Sequence, residues 1–330
     1  MCVRDEVDKR NANNIKNIVS NYPIILSTYI NSLSNRTSYT KLVYSRYMSH
    51  FLDYLRDEIK IDINNNDDYK KVKPMDVGMY LEKIKYNNDG TEKSISYMNV
   101  QLAAIKGFFE FLFDNEIILN NPCKKMKAIK DNRIHDITVI TDEDYKIMLD
   151  NIKNGVGNHR ARALQKKWVN RDIAMLTLGV TTGLRVSAIV GINIDDIDFN
   201  NNTVRIIEKG NREKIVILGS KAIKDIKKWI TDRKKIADKK EQALFICKTG
   251  KRMSTVSVEE RFRKIAKGTG KKITPHKMRA TCATRLYEAT GDIYLVQDQL
   301  GHKNIENTKK YAKVSEKRKM EAANILNDIF

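Results

Sequence analysis

The sequence predicts a mainly α-helical protein of two domains carrying one small β-hairpin or sheet, and three observations lead there. Apolar residues recur at three- and four-residue spacing from Tyr44 to Leu112, the mark of helices with one buried face. The segment "TVRIIEKGNREKIVIL", Thr203 to Leu218, is two β-branched runs joined by a Lys-Gly-Asn-Arg turn, which reads as a hairpin. Between these regions "NNPCKKMKAIKDNR", residues 120–133, joins a helix-stopping Asn-Pro to a basic run of little periodicity, which suits an interdomain linker. The expected division is a polar, Asn-rich and loose leader (1–20), a helical domain (21–125), a basic linker (126–139), an α+β domain (140–314) and a terminal helix (315–330).

Taken in order, a helix of about six turns is expected from Arg36, with Tyr44, Tyr47, Met48, Phe51, Leu52 and Leu55 on its buried stripe and "NNNDD" at 64–68 as its breaker. Asp76 is a candidate cap for a short helix bearing Val77, Tyr80, Leu81 and Ile84. Ser94 or Ser96 opens a third with Met98, Leu102, Ile105, Phe109 and Leu112 on one face. In the second domain Thr141 and Asp144 form a capping-box pattern. Ile173, Leu176, Leu178 and Val180 predict a buried helix ended by Gly183, and Val186, Ile189 and Val190 begin another. Beyond Lys221 the pattern is helical except at "LFICK", 244–248.

The 330 residues, 41% hydrophobic with a mean hydropathy of −0.51, describe a core-forming, soluble chain. No apolar run approaches the roughly 20 residues that cross a bilayer, and the N-terminus lacks the apolar centre of a secretory signal, so the expected location is cytoplasmic with no membrane partner. Four cysteines without a CxxC pair make neither a zinc ribbon nor a disulfide framework and are expected to be reduced. A formal charge of +20, from 61 Lys+Arg against 41 Asp+Glu, is the electrostatic footprint of a nucleic-acid partner. The absence of GxxxxGK[ST] and GxGxxG leaves no sign of a nucleotide cofactor. His276 and His302 lack a convergent Cys or carboxylate set, so no metal is expected.

"TPHKMRATCATRLYEATG" places Thr274 as N-cap, Pro275 at the first helical position and His276 in the first turn, where free amides favour an anion. Arg279, three residues on, shares a face with His276, while Met278, Cys282 and Leu286 line another. Gly301 suits the C-terminal turn of "IYLVQDQL", and His302 follows it. Taken singly, a first-turn histidine is commonly a cap, a nearby arginine a surface charge and a late tyrosine a packing residue. Tyr287 and Tyr294 fit packing, each being flanked by apolar residues.

Taken jointly, "TTGLRVSAIVGINIDDIDF", "HKMRATCATRLYE" and "LGHKN" followed by Tyr311 resemble the tyrosine recombinase, or phage-type integrase, family. In that family an arginine follows a Thr-Gly-Leu turn, HxxR opens a helix, and LGH precedes the nucleophilic tyrosine by nine residues. The hairpin "EKGNREKIVIL" resembles the family's GKGNKER hairpin, whose first lysine is catalytic, and "TKLVYSRYMSHFLDYL" with "YMNVQLAAIKGFFEFL" resembles its helical core-DNA-binding domain. The resemblance spans roughly Ile140 to Val314 in the second domain. It implies Arg185 and Arg279 as phosphate-clamping arginines, Lys209 as the hairpin lysine with Lys214 as fallback, His276 and His302 as supporting phosphate ligands, and Tyr311 as nucleophile. Two departures bear on how those side chains are oriented. Ala280 stands where many members have a histidine, and Ala188 where many have an acid.

The chemistry asks for such groups. Attack on a phosphodiester builds negative charge that fixed cations stabilise, and the arginine fork binds two phosphate oxygens without losing its proton. An unperturbed phenol has a pKa of about 10, so the site must favour the phenolate. A 3′-phosphotyrosyl intermediate keeps the bond energy of the diester, so rejoining needs neither ATP nor a metal. The implied activity is site-specific DNA recombination of integrase, resolvase or invertase type, serving a mobile element or a compact Xer-like system, since the short leader leaves no room for a separate arm-site domain. The implied partners are duplex DNA with specific target sites, a dimer on each site, a tetrameric synapse, and accessory DNA-bending or directionality proteins; a bacterial member would associate with the nucleoid. A type IB topoisomerase-like enzyme and a catalytically silent DNA-binding protein are the alternatives. The terminal stripe Ala322, Ile325, Leu326, Ile329 and Phe330 would dock on a neighbouring protomer or on its own domain.

Overall fold

A computed structural model describes residues 3–130, 138–208, 212–312, 320 and 324. The chain divides into two compact units, Met1–Ile134 and His135–Phe330. Among the described residues no helix is long and apolar enough to cross a membrane.

The first unit is helical: α1 (Val3–Val19), α2 (Ile24–Ser32), α3 (Ser38–Asp57), a 3-10 turn at Asn66–Lys71, α4 (Pro74–Lys83) and α5 (Ile95–Asp114). Thr37 and Ser94 cap α3 and α5 by accepting from Thr40 N at 3.2 Å and Tyr97 N at 3.1 Å. Asp76 serves α4 from the third helical position, accepting from Lys73 N at 2.8 Å, because Pro74 takes the first. The apolar stripes meet in an aromatic core, with Phe51 edge-on to Tyr80 at 5.0 Å and Tyr29, Tyr69, Phe108 and Phe109 fully enclosed.

The N-terminal leader is not loose. Residues Val3–Val19 form α1, in which Asn11 is buried and donates to Ser38 Oγ at 3.0 Å, while Ile15 and Val19 pack against the core. The stripe is one residue wide at four-residue spacing, so polar composition hides it. Helix α2, buried through Ile25, Leu26, Tyr29 and Ile30, lies ahead of the first helix the periodicity marked. Helix α3 stops at Asp57, well before "NNNDD". At the far end of the unit the chain runs back along α5, with the Asn99 side chain bonded to both backbone groups of Ile129 at 2.8 and 2.9 Å.

The second unit contains α6 (Asp142–Asn154), α7 (His159–Gln165), α8 (Val169–Thr182), α9 (Val186–Gly191), β1 (Ile197–Asp198), β2 (Thr203–Glu208), β3 (Arg212–Ile217), α10 (Ser220–Arg233), α11 (Thr255–Ile265), α12 (Pro275–Thr290), α13 (Ile293–Leu300) and α14 (Glu306–Lys309). Thr141 and Asp144 close the expected capping box at 2.9 and 3.1 Å. The strands form one antiparallel sheet, β1-β2-β3, with β2 and β3 in register from Thr203↔Ile217 to Glu208↔Arg212. Val204, Ile206 and Val216 turn inward, while Ile207, Ile215 and Ile217 face outward. Helix α8 is the hub: Ala174, Met175, Leu176 and Leu178 are fully buried, and α10 and α12 pack on it. The "LFICK" stretch supplies fully buried Leu244, Phe245 and Ile246, and bridges through Ile246 to Arg252. Lys209 and the terminal stripe from Ala322 to Phe330 lie outside the described residues.

Candidate active site

The site forms where the ends of α8, α12 and α13 meet the start of α9 and the segment after α14. Gly183 caps α8 at φ 64° and Gly301 caps α13 at φ 63°, the left-handed conformation that glycine adopts without a Cβ penalty. Each turn leads to a polar residue, Arg185 two places after Gly183 and His302 directly after Gly301.

Arg279 projects from α12 between these turns. It is 5% exposed, and its guanidinium donates from Nη1 to Gly183 O at 2.7 Å and from Nη2 to Leu300 O at 2.5 Å. Burial, followed by the neighbouring Arg185, pushes its pKa down to about 10, so it stays charged at neutral pH. Arg185 is half-buried and donates from Nη1 to Glu208 Oε1 at 3.0 Å.

His302 bonds through Nδ1 to the Thr308 hydroxyl at 2.9 Å, while its carbonyl accepts from the Gln297 side chain at 2.9 Å. Burial, then the charges of Arg279, Arg185 and Lys310, push its pKa down to about 4. Its ring lies nearly parallel to that of Tyr311, centroids 6.3 Å apart. Tyr311 is 7% exposed, packs with Ala280, Ala283, Val296 and Leu300, and carries Lys310 Nζ 5.0 Å from its ring centroid.

The structure therefore gathers Arg185, Arg279, His302 and Tyr311. His276 sits in the expected first turn of α12 but is exposed, and among the described residues no hydrogen bond or ion pair joins it to those four. Lys214, the fallback for Lys209, is 24% exposed and donates to the Asp298 carbonyl of α13. Tyr287 is partly buried against the Tyr311 cluster, whereas Tyr294 is 73% exposed and is not the packing residue its apolar neighbours suggested. The position after Arg279, Ala280, is buried against Tyr311, and Ala188 lies in the main core. Sequence reasoning missed Glu208: its partner Arg185 is 23 residues away, and only the tertiary fold joins them. Among the described residues no three His, Cys, Asp or Glu side chains converge on a metal position.

The phage integrase family matches residues 138–318, more than half of the chain. A curated relative, tyrosine recombinase XerC of Mannheimia succiniciproducens, is 30% identical over 87% of this chain and 91% of its own. Two solved structures share the fold. XerH site-specific recombinase bound to difH substrate has a TM-score of 0.66 at 21% identity, covering 91% of this chain and 84% of that one. A lambda integrase dimer bound to a COC' core site has a TM-score of 0.61 at 16% identity, covering 85% and 94%. A small antiparallel sheet set among helices, in the stretch that the family matches, is the fold of an integrase-type domain. The chain belongs to the phage integrase family, and within it to the tyrosine recombinases.

Proposed function

We propose that this tyrosine recombinase breaks and rejoins duplex DNA at specific sites with Tyr311 as the nucleophile. The observation that carries the assignment is the proximity of a tyrosine ring, a histidine ring at 6.3 Å and the buried cation of Arg279, whose charge acts on both. Tyr311 Oη attacks the phosphorus, the bond from phosphorus to the 5′ oxygen breaks, and a 3′-phosphotyrosyl ester forms. Arg185 and Arg279 hold the non-bridging oxygens as charge accumulates. His302, neutral in the free protein and anchored by Thr308, shares the tyrosine proton or donates to the phosphate. His276, at the open start of α12, adds a donor from the solvent side. The leaving 5′ oxygen takes its proton from a hairpin lysine, Lys209, with Lys214 on the facing strand as the alternative. Rejoining reverses these steps from a second 5′ hydroxyl.

The helical first unit adds its own contacts to the duplex, and the charge of +20 supplies the sequence-independent part of the chain's grip. A dimer on each site, as in the lambda integrase complex, and pairing of two sites in a tetramer follow from the need to exchange four strand ends. A terminal helix docking on a neighbour, accessory DNA-bending proteins and a cytoplasmic location belong to the same reading.

A nicked duplex that traps the covalent intermediate tests the assignment. Wild type should yield a protein–DNA adduct and Tyr311→Phe none; adduct persisting in the variant overturns it. Strand exchange between two sites then separates a recombinase from a topoisomerase-like enzyme.

A further inference from the structure

A carboxylate stands where the chemistry requires an anion. Glu208, the last residue of β2, sets Oε1 3.0 Å from Arg185 Nη1, and its side chain is only 18% exposed. Its oxygens lie 2.6 and 2.7 Å from the point a Cβ on Gly301 would occupy, so it rests against the glycine of Leu-Gly-His, in space that exists because that residue has no side chain. Its charge also acts on the Arg279 guanidinium. Glu208 thus lies among Arg185, Arg279 and the turn leading to His302. In the GKGNKER hairpin motif that the chain resembles, a glycine holds the place where this chain has Glu208.

We propose that Glu208 is an internal competitor for the scissile phosphate. Its carboxylate holds Arg185 until DNA arrives and must yield the guanidinium before a phosphate oxygen can take it. The arginine fork accepts carboxylate and phosphate through the same donors, and it cannot be deprotonated, so one anion has to replace the other. A carboxylate left beside the phosphate repels it. The exchange therefore sets a threshold: a duplex must contribute enough contact elsewhere to displace Glu208, and non-target phosphates fall short. This rests on the reading of Arg185 and Arg279 as phosphate ligands.

The test uses the full chain carrying Tyr311→Phe, which holds DNA without cutting it. If Tyr311 is not the nucleophile, this background still forms adduct, and that failure is visible separately. Glu208→Gln and Glu208→Gly are each compared with the parent for affinity to the target duplex, and to the same duplex with a neutral methylphosphonate at the scissile position. Glutamine keeps the size of the side chain and glycine removes it, so a fold defect in one leaves the other. Both variants should bind the ordinary duplex about tenfold tighter, the scale of one lost charge-assisted competitor, and show no gain on the methylphosphonate duplex. Equal or weaker binding to the ordinary duplex, the result of a carboxylate that merely orients Arg185, overturns the proposal. An equal gain on both duplexes, the result of a general loss of negative charge, overturns it as well.

Discussion

Arg279 and Gly183, 96 residues apart in the chain, are joined by a 2.7 Å hydrogen bond from the guanidinium to the backbone carbonyl. The same guanidinium reaches Leu300 O, so one side chain fastens the end of α8 to the end of α13. The two turns that deliver Arg185 and His302 are therefore set relative to each other by Arg279.

Arg279→Lys should accordingly damage structure as well as chemistry. A single ammonium cannot span both carbonyls in this geometry and leaves at least one buried acceptor unpaired, at about 2 kcal/mol. The expected result is a fall of several degrees in the unfolding temperature, with adduct formation reduced by about two orders of magnitude or more. A variant that melts like wild type yet fails to cleave would show that the clamp carries no structural weight.

The site was legible in the sequence to the extent that turn chemistry fixes it. Thr-Gly-Leu-Arg and Leu-Gly-His announce left-handed glycine caps, and those caps deliver Arg185 and His302 as expected. The Arg279 contacts could not be read, because sequence spacing reports which face a residue shares and not which distant carbonyl it meets. Glu208 was hidden for the same reason. In the helical unit, broad apolar stripes exposed α3 and α5, while α1 escaped because a buried asparagine stands in the stripe that Ile15 and Val19 continue.

The support for α8 predicts a second stability effect. Asp172 is fully buried and accepts from Arg171 at 2.7 and 2.9 Å and from Arg261 at 2.6 Å, with both arginine side chains nearly enclosed. Asp172→Asn keeps the shape but strands two buried cations, at about 3 to 5 kcal/mol. Denaturant titration of the protein should show that loss, and because α8 ends at the turn before Arg185, cleavage should fall with it. A change below about 1 kcal/mol would mean that solvent or a rearranged partner satisfies both arginines.

His302 gives the pH prediction. Its pKa, about 4 in the folded protein, lies below the ordinary value of about 6.5. As pH falls through that window the unfolded chain takes up a proton that the folded site refuses, so stability is full above pH 6.5 and declines toward pH 4. His302→Gln should flatten the acid limb of a plot of unfolding temperature against pH. A bound phosphodiester changes the balance, because its negative charge offsets the fields of Arg279 and Arg185, the two cations that most disfavour the imidazolium. In the Tyr311→Phe protein an NMR titration of the His302 ring should therefore move upward by about one unit or more on adding target DNA. A ring that titrates near its ordinary value in the free protein, or that does not move on DNA binding, would place His302 outside the phosphate's reach.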